Sequence, residues 1–510
     1  MGQCPIVKKK IKMLKIKSLL SIINLLIVCS ISAQQVTIFG QEPDYAGREI
    51  VFFSFDNYIS ESEIKLGSST VAENGDFSVS FQLNDVRLIY TDLDVFLVRF
   101  FVEPGFSYHV KLPPFIERLP EERENPFFEK SQVYMQLLNV KNNNGDNIAL
   151  NEELNLKIIN FYQDFNLIHD SLAIGTVHRY PISLLDSIIS NYKAALPQTD
   201  NRYFDDYAFY RSGLLYFVAQ RGGIRHVSNE YFANKPVLQD HHSYMELFNA
   251  TYENYFMQFG RADNSIFTII NRQSSFNRLR HLLMQDGVLP NDTLSELVIL
   301  KNIHDEFYAD RFSRAALLNI LDSVMVYSKI ERHKEIASEI RSKTTRLLRG
   351  FEPPDFSLYK HDSTLVSLKD YKGKFVYLLF CTTYNYVCLT KYKILEDLHR
   401  RHKGWLDIVV ISMDDNFKNM IDFRQTSEYQ WDFLHFGNQP DVVNHYDVRI
   451  FPTAFLIDTE GKIVLSPAPV PMPVFDPDPP PTTNLERILR QELINRRLWH
   501  EYVSRGLIVN

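Results

Sequence analysis

Cysteine is scarce in this chain: four residues in 510, at positions 4, 29, 381 and 388. That count excludes a disulfide-stapled scaffold, so the fold must be held by buried apolar cores. No Cys-x-x-Cys pair occurs anywhere, which removes the usual surface dithiol. An excess of positive charge is also missing, with 55 basic residues against 62 acidic ones, and a surface of that balance repels nucleic acid. Beyond residue 33 no run of 18 consecutive apolar residues appears, so no further membrane-spanning helix is expected.

What is present is globular: 45% of residues are apolar and 23% charged, enough chain for about two to four domains. Residues 1–33 stand apart. "KKKIKMLKIK" brings six lysines and no acid, and "SLLSIINLLIVCSISA" follows as a short apolar segment ending in small residues. This is the pattern of a secretory signal peptide, with cleavage expected after Ala33. A rival processing site is "LIVC", where Cys29 would carry a lipid anchor. The protein is therefore expected to be exported, periplasmic or envelope-associated, with lipoprotein as the variant. Losing the signal leaves 49 basic against 62 acidic residues, a formal charge of −13, and only Cys381 and Cys388.

The remaining chain reads as a multidomain α+β protein. Residues 34–115 carry short Val-, Phe- and Tyr-rich runs such as "REIVFFSF" and "DFSVSFQL", with hairpin signals at Asn74-Gly75 and at "EPG", and predict a small β-sandwich. Residues 116–349 have apolar positions at helical spacing, as in "LNLKIINFYQDFNLIHDSL", and predict an all-α domain. Thr293 with Glu296 suggests a capping box at one helix start. Residues 350–466 alternate strand and helix patterns. Residues 467–510 combine "PAPVPMPVFDPDPPP", an extended connector, with a last amphipathic helix that returns to cover the sheet.

No metal or other cofactor is expected. "VKNNNGDNIALNE" has Val140 and Asn151 in the first and twelfth places, where a calcium loop needs carboxylate ligands, and reads as a polar turn. His242 and Glu246 share a helical face, but two candidates without a third make a solvated face rather than a metal site.

Within residues 350–466, "PPDFSL", "LKDYKGKFVYLLF", Cys388, "VVISMDD" and "YDVRIFPTAFLIDTEGKIV" follow one another in an order that resembles the thioredoxin superfamily. More narrowly it resembles the TlpA-like and redoxin (AhpC/TSA-type) branch of exported bacterial proteins. The resemblance covers about 120 of 510 residues. It implies a thioredoxin-like α/β domain, a cis Phe451-Pro452 bond facing the redox loop, and a thiol-disulfide oxidoreductase whose partner is a protein or peptide thiol or disulfide.

The same resemblance lays the family pattern aromatic-Cys-x-x-Cys on Tyr384, Asn385, Tyr386, Val387 and Cys388. The attacking thiolate would belong to the first cysteine, where a helix dipole stabilises it. Here that place holds Asn385, which has no ionisable group. Ordinary dithiol exchange is therefore expected to be lost, with Cys388 as the remaining catalytic candidate and Cys381 as a second. A disulfide between them needs Cα atoms within about 7 Å, and a strand end and a first helical turn are expected to lie further apart. The expectation is thus a buried, inert Cys381. Two alternatives stand beside the oxidoreductase. One is a redox-inactive module that docks a peptide at Tyr384, Asn385, Phe451 and Pro452. The other is a one-Cys peroxidase using Cys388, with Arg449 near the thiolate, although the Pro and Thr of the peroxiredoxin loop are replaced here by Cys381 and Asn385.

Overall fold

The computed structural model describes residues 33–118, 128–221, 223–309, 311–414, 416–437, 439–448, 450–471, 485–496, 498 and 502. The signal segment with Cys29, Arg449 and most of the proline-rich connector lie outside the described residues.

Two compact units are present, and the helical stretch contributes to both. The first comprises the described residues of Met1–Arg118, Lys130–Gln258 and Arg280–Asn302. It holds ten strands: β1 (Gln34–Gln41), β2 (Glu49–Asn57), β3 (Ser62–Thr70), β4 (Asp76–Leu83), β5 (Arg87–Leu93), β6 (Phe96–Val102), β7 (Ser107–Lys111), β8 (Ser131–Tyr134), β9 (Gln136–Lys141) and β10 (Asn147–Ile148). They form two five-stranded sheets, ordered β10-β9-β7-β1-β4 and β3-β2-β5-β6-β8. In β4 every second residue is buried, as a sheet with one wet face requires. Val36, Phe52, Val79, Phe100 and Tyr108, drawn from both sheets, pack in one core.

Four local signals resolve differently from their sequence reading. Asn74-Gly75 and the "EPG" turn do not close hairpins: β3 and β4 lie in different sheets, as do β6 and β7, so each turn carries the chain between sheets. Gly75 still needs its φ of +90°, and a Cβ there would meet the Pro43 nitrogen at 2.6 Å. Residues 131–148, read as helical or as a polar loop, add β8–β10, which gain their backbone partners from sheet edges rather than from a pattern of their own. The cap of the helix Asp292–Glu306 is Asn291, whose Oδ1 accepts the Leu294 amide at 2.8 Å; Glu296 instead pairs with Arg280 at 2.6 Å.

Helix Leu154–Val177 begins where Glu153 accepts the Asn155 and Leu156 amides. Asn155 is fixed to β6: its Oδ1 accepts the Phe101 amide at 2.6 Å and its Nδ2 donates to the Phe101 carbonyl at 2.8 Å. His242 packs among Tyr58, Phe101 and Tyr207, while Glu246 pairs with Arg211. The "NNNGD" stretch is a tight turn in which Asn142 Oδ1 accepts the Asn144 and Asp146 amides.

The second unit comprises the described residues of Leu119–Glu129, Phe259–Leu279 and Ile303–Asn510. Its seven-stranded sheet runs β12-β11-β15-β14-β13-β16-β17, built from β11 (Ser357–Lys360), β12 (Leu365–Ser367), β13 (Phe375–Cys381), β14 (Leu406–Ser412), β15 (Asp432–His435), β16 (Thr453–Ile457) and β17 (Ile463–Leu465). Central β13 is buried along its whole length, which explains an unbroken apolar run in place of alternation. Its period of two sends Phe375, Tyr377, Leu379 and Cys381 into one core, and Val376, Leu378 and Phe380 into the other. The first core also takes Cys388, Tyr392 and Leu395 from helix Tyr386–His402, and Leu485, Leu489 and Leu493 from the terminal helix. That terminal helix is tied down by Glu492 to Arg349 at 2.7 Å and by Arg496 to Asp458 at 2.8 Å.

Candidate functional site

The site grows from the carboxyl end of β13. This strand pairs in parallel with β14 and antiparallel with β16, with Cys381 opposite Ser412 and Phe380 opposite Thr453. The register sets Pro452 next to Cys381, so the loop after β13 and the turn before β16 share one edge of the sheet. The Phe451–Pro452 peptide is cis, and Phe451 packs partly buried on the core that holds both cysteines. Loops at the carboxyl ends of parallel strands are where α/β sheets place ligands.

Asn385 is the N-cap of helix Tyr386–His402. Its Oδ1 accepts the Val387 amide at 2.9 Å and the Cys388 amide at 3.3 Å. Two of the four unpaired helix donors are satisfied in this way, and Asn is among the residues best suited to do it. The Asn385 side chain is thus engaged in holding the helix start.

Cys381 and Cys388 are joined in a disulfide, with Cα atoms 5.8 Å apart. The expectation of an inert, unbonded Cys381 is corrected. The chain turns back at once after β13, so the first helical turn comes within bonding distance of the strand end despite seven intervening steps. Both residues are 0% exposed. The Thr382 amide points at Cys388 Sγ at 3.4 Å, and the Tyr392 hydroxyl donates to the Thr382 carbonyl at 3.2 Å. Burial holds the Tyr392 phenol well above its ordinary pKa, so it stays a donor.

The sequence reading missed what lies beneath the loop. Asp414, 0% exposed, accepts three hydrogen bonds: from the Thr383 amide at 2.9 Å, the Thr383 hydroxyl at 2.7 Å and the Ser412 hydroxyl at 2.8 Å. Its backbone carbonyl lies 2.8 Å from His435 Nε2, whose Nδ1 accepts the Gly437 amide at 3.0 Å. Together these groups tie the loop to the ends of β14 and β15. The available signal was polar residues directly after apolar strand runs, "CTT" and "ISMDD", since buried polar groups at strand ends need partners.

Above the loop the surface is apolar. Tyr384, Tyr386, Val387 and Ile450 are 49%, 79%, 46% and 58% exposed. A cavity lined by Leu368, Val376, Ile457 and Gly461 belongs to the opposite end of β13 and has no part in this edge. Among the described residues no group of three or more His, Cys, Asp or Glu side chains converges as a metal ion would require. No helix among them is long and apolar enough to cross a membrane.

Known proteins resemble part of this chain. Residues 350–466 match the model of the AhpC/TSA family. The thiol-disulfide oxidoreductase ResA of Bacillus cereus is 27% identical over 124 residues, which are 24% of this chain and 71% of that protein. ResA of Bacillus subtilis is 26% identical over 157 residues, 30% of this chain and 82% of that protein. The crystal structure of the thioredoxin domain of a thiol-disulfide oxidoreductase from Bacteroides vulgatus is 26% identical, covering 23% of this chain and 86% of its own at a TM-score of 0.22. With its strand order, its redox loop at the carboxyl edge and its family match, the segment 350–466 of this chain belongs to the thioredoxin superfamily as a redoxin domain of the AhpC/TSA type.

Proposed function

We propose that this is an exported, envelope-associated protein of the thiol-disulfide oxidoreductase family in which ordinary dithiol exchange is lost, and whose thioredoxin-like face holds an extended segment of a partner protein. One observation carries the reading: the attacking position is Asn385, and both sulfurs at the site are bonded to each other and fully buried. Exchange needs a thiolate that a substrate can reach, and neither sulfur is reachable in this state. What the edge offers instead is apolar surface at Tyr384, Tyr386, Val387 and Ile450 beside Pro452. The β-rich segment 34–115 and the helical segment 116–349 supply further surface in this reading. Export rests on the signal pattern of residues 1–33, with Cys29 as the alternative anchor.

A second reading has one observation in its favour: a disulfide does occupy the redox loop, so Cys381 and Cys388 could pass an electron pair if a partner opened the loop. Peroxide reduction by Cys388 has less support, because the sulfur is already bonded and would have to be released first.

Insulin reduction driven by dithiothreitol separates the readings. The wild-type chain is expected to leave the uncatalysed rate unchanged, and Asn385→Cys, which restores the family spacing to Cys388, is expected to gain exchange of at least about 100-fold over that background. Turnover by the wild type at enzymatic speed would overturn the proposal. In parallel, a panel of extended apolar peptides should bind the full chain and lose about tenfold in affinity in the Tyr386→Ser, Ile450→Ser double variant.

A further inference from the structure

We propose that the Cys381–Cys388 disulfide is a redox-operated latch on the docking loop: the oxidised ring presents the apolar surface, and reduction releases it. The inference rests on the docking reading and adds the regulation of that same site.

The bond closes a ring of eight residues, 381–388, and Tyr384, Tyr386 and Val387 all lie inside it. A cross-link that serves global stability gains most when it closes a long loop; one this short constrains mainly the loop it spans. The ends of the ring sit on rigid parts, the last residue of β13 and the first turn of helix Tyr386–His402, and both half-cystines belong to one core. Between them the loop is held by hydrogen bonds at Thr382, Thr383 and Asn385. Thr383 is bonded to Asp414, the Asn385 amide donates to Thr382 Oγ1 at 3.2 Å, and Asn385 caps the helix. With the covalent closure removed, these hydrogen bonds and the Tyr392 hydroxyl on the Thr382 carbonyl oppose the entropy of a loop that exposes two tyrosines and a valine to water.

The redox step balances with an external dithiol. One thiolate of the reductant attacks a sulfur of the disulfide and forms a mixed disulfide, and the second reductant thiol displaces the protein sulfur. The reductant ends as a disulfide, and Cys381 and Cys388 take two electrons and two protons to become thiols. Since both sulfurs are buried, the reductant reaches them only when the loop lifts, which makes the latch slow against small reagents in solution.

Hydrogen exchange read by mass spectrometry on the full chain tests this without any variant. The oxidised protein is compared with protein reduced by dithiothreitol and then reoxidised. Peptides covering 382–389 are expected to exchange at least tenfold faster after reduction and to recover on reoxidation, while peptides of β14 and of the first unit stay unchanged. Unchanged protection of the loop would overturn the latch. So would an equal loss of protection across the second unit, which would mark a general staple, or the finding of two free thiols in the oxidised protein. The Cys381→Ser, Cys388→Ser double variant should behave as the reduced chain. Failure of the docking reading shows separately, as apolar peptides that bind neither oxidation state.

Discussion

His241 and His435, one in each unit, are buried imidazoles with matching hydrogen bonds and different neighbours. His241 Nδ1 accepts the Tyr244 amide at 3.4 Å and its Nε2 lies 3.2 Å from the Tyr203 carbonyl. His435 Nδ1 accepts the Gly437 amide at 3.0 Å and its Nε2 lies 2.8 Å from the Asp414 carbonyl. Each arrangement selects the neutral ring with its proton on Nε2. The surroundings then diverge. His241 sits 4.2 Å, ring to ring, from Tyr203, with Tyr207 and Tyr210 nearby, and burial pulls its pKa down to about 4. His435 is bonded to a residue whose carboxylate holds the loop over the disulfide. Both rings pack against aromatic neighbours, Phe417 and Phe436 in the case of His435, and the difference lies in what the bonded carbonyl's own side chain does.

The comparison breaks most visibly at Asp414. Asp414→Ala strands two donors of Thr383 and the Ser412 hydroxyl, and about 4 kcal/mol should be lost from the second unit in urea unfolding. His241→Leu, in an aromatic setting, should cost the first unit only about 1–2 kcal/mol. Equal losses would remove the distinction drawn here.

Acid sharpens it next. The His241 pKa falls from 6.5 to about 4, so over that interval the unfolded chain takes up a proton that the folded chain refuses. Stability present above about pH 6.5 is lost as the pH falls to about 4, by about 3 kcal/mol for this group. Amide protection of helix His242–Thr251 should fall over this window, and His241→Leu should roughly halve the fall, because burial pulls the neighbouring His242 down to about 4 as well.

Reducing the disulfide has a smaller expected effect, confined to the ring: opening of residues 382–389 should become easier by about 1.4 kcal/mol, the equivalent of tenfold faster exchange, while the urea midpoint of the second unit stays in place. The smallest effect belongs to the helix cap. Asn385→Ala should cost about 1 kcal/mol, and Asn385→Asp, which keeps the acceptor, should be nearly neutral in the same titration.

Much of this edge was legible in the residue order. The apolar run of β13, the helical spacing after Cys388 and the Phe-Pro-Thr turn before β16 announce themselves because each is a local pattern. The Thr383–Asp414 clamp was not legible, since its members are 31 residues apart and meet only because β13 and β14 pair in register. Strands β8–β10 escaped for a related reason: their pairing comes from existing sheet edges.

By itself the amino-acid sequence determined that residue 385 brings neither a sulfur nor an ionisable group, because a carboxamide has neither wherever the chain places it. Only the tertiary structure decided the state of the remaining two cysteines. A bond between them depends on a Cα separation of 5.8 Å, set by how sharply the loop turns between strand and helix, and residue identity does not encode that distance.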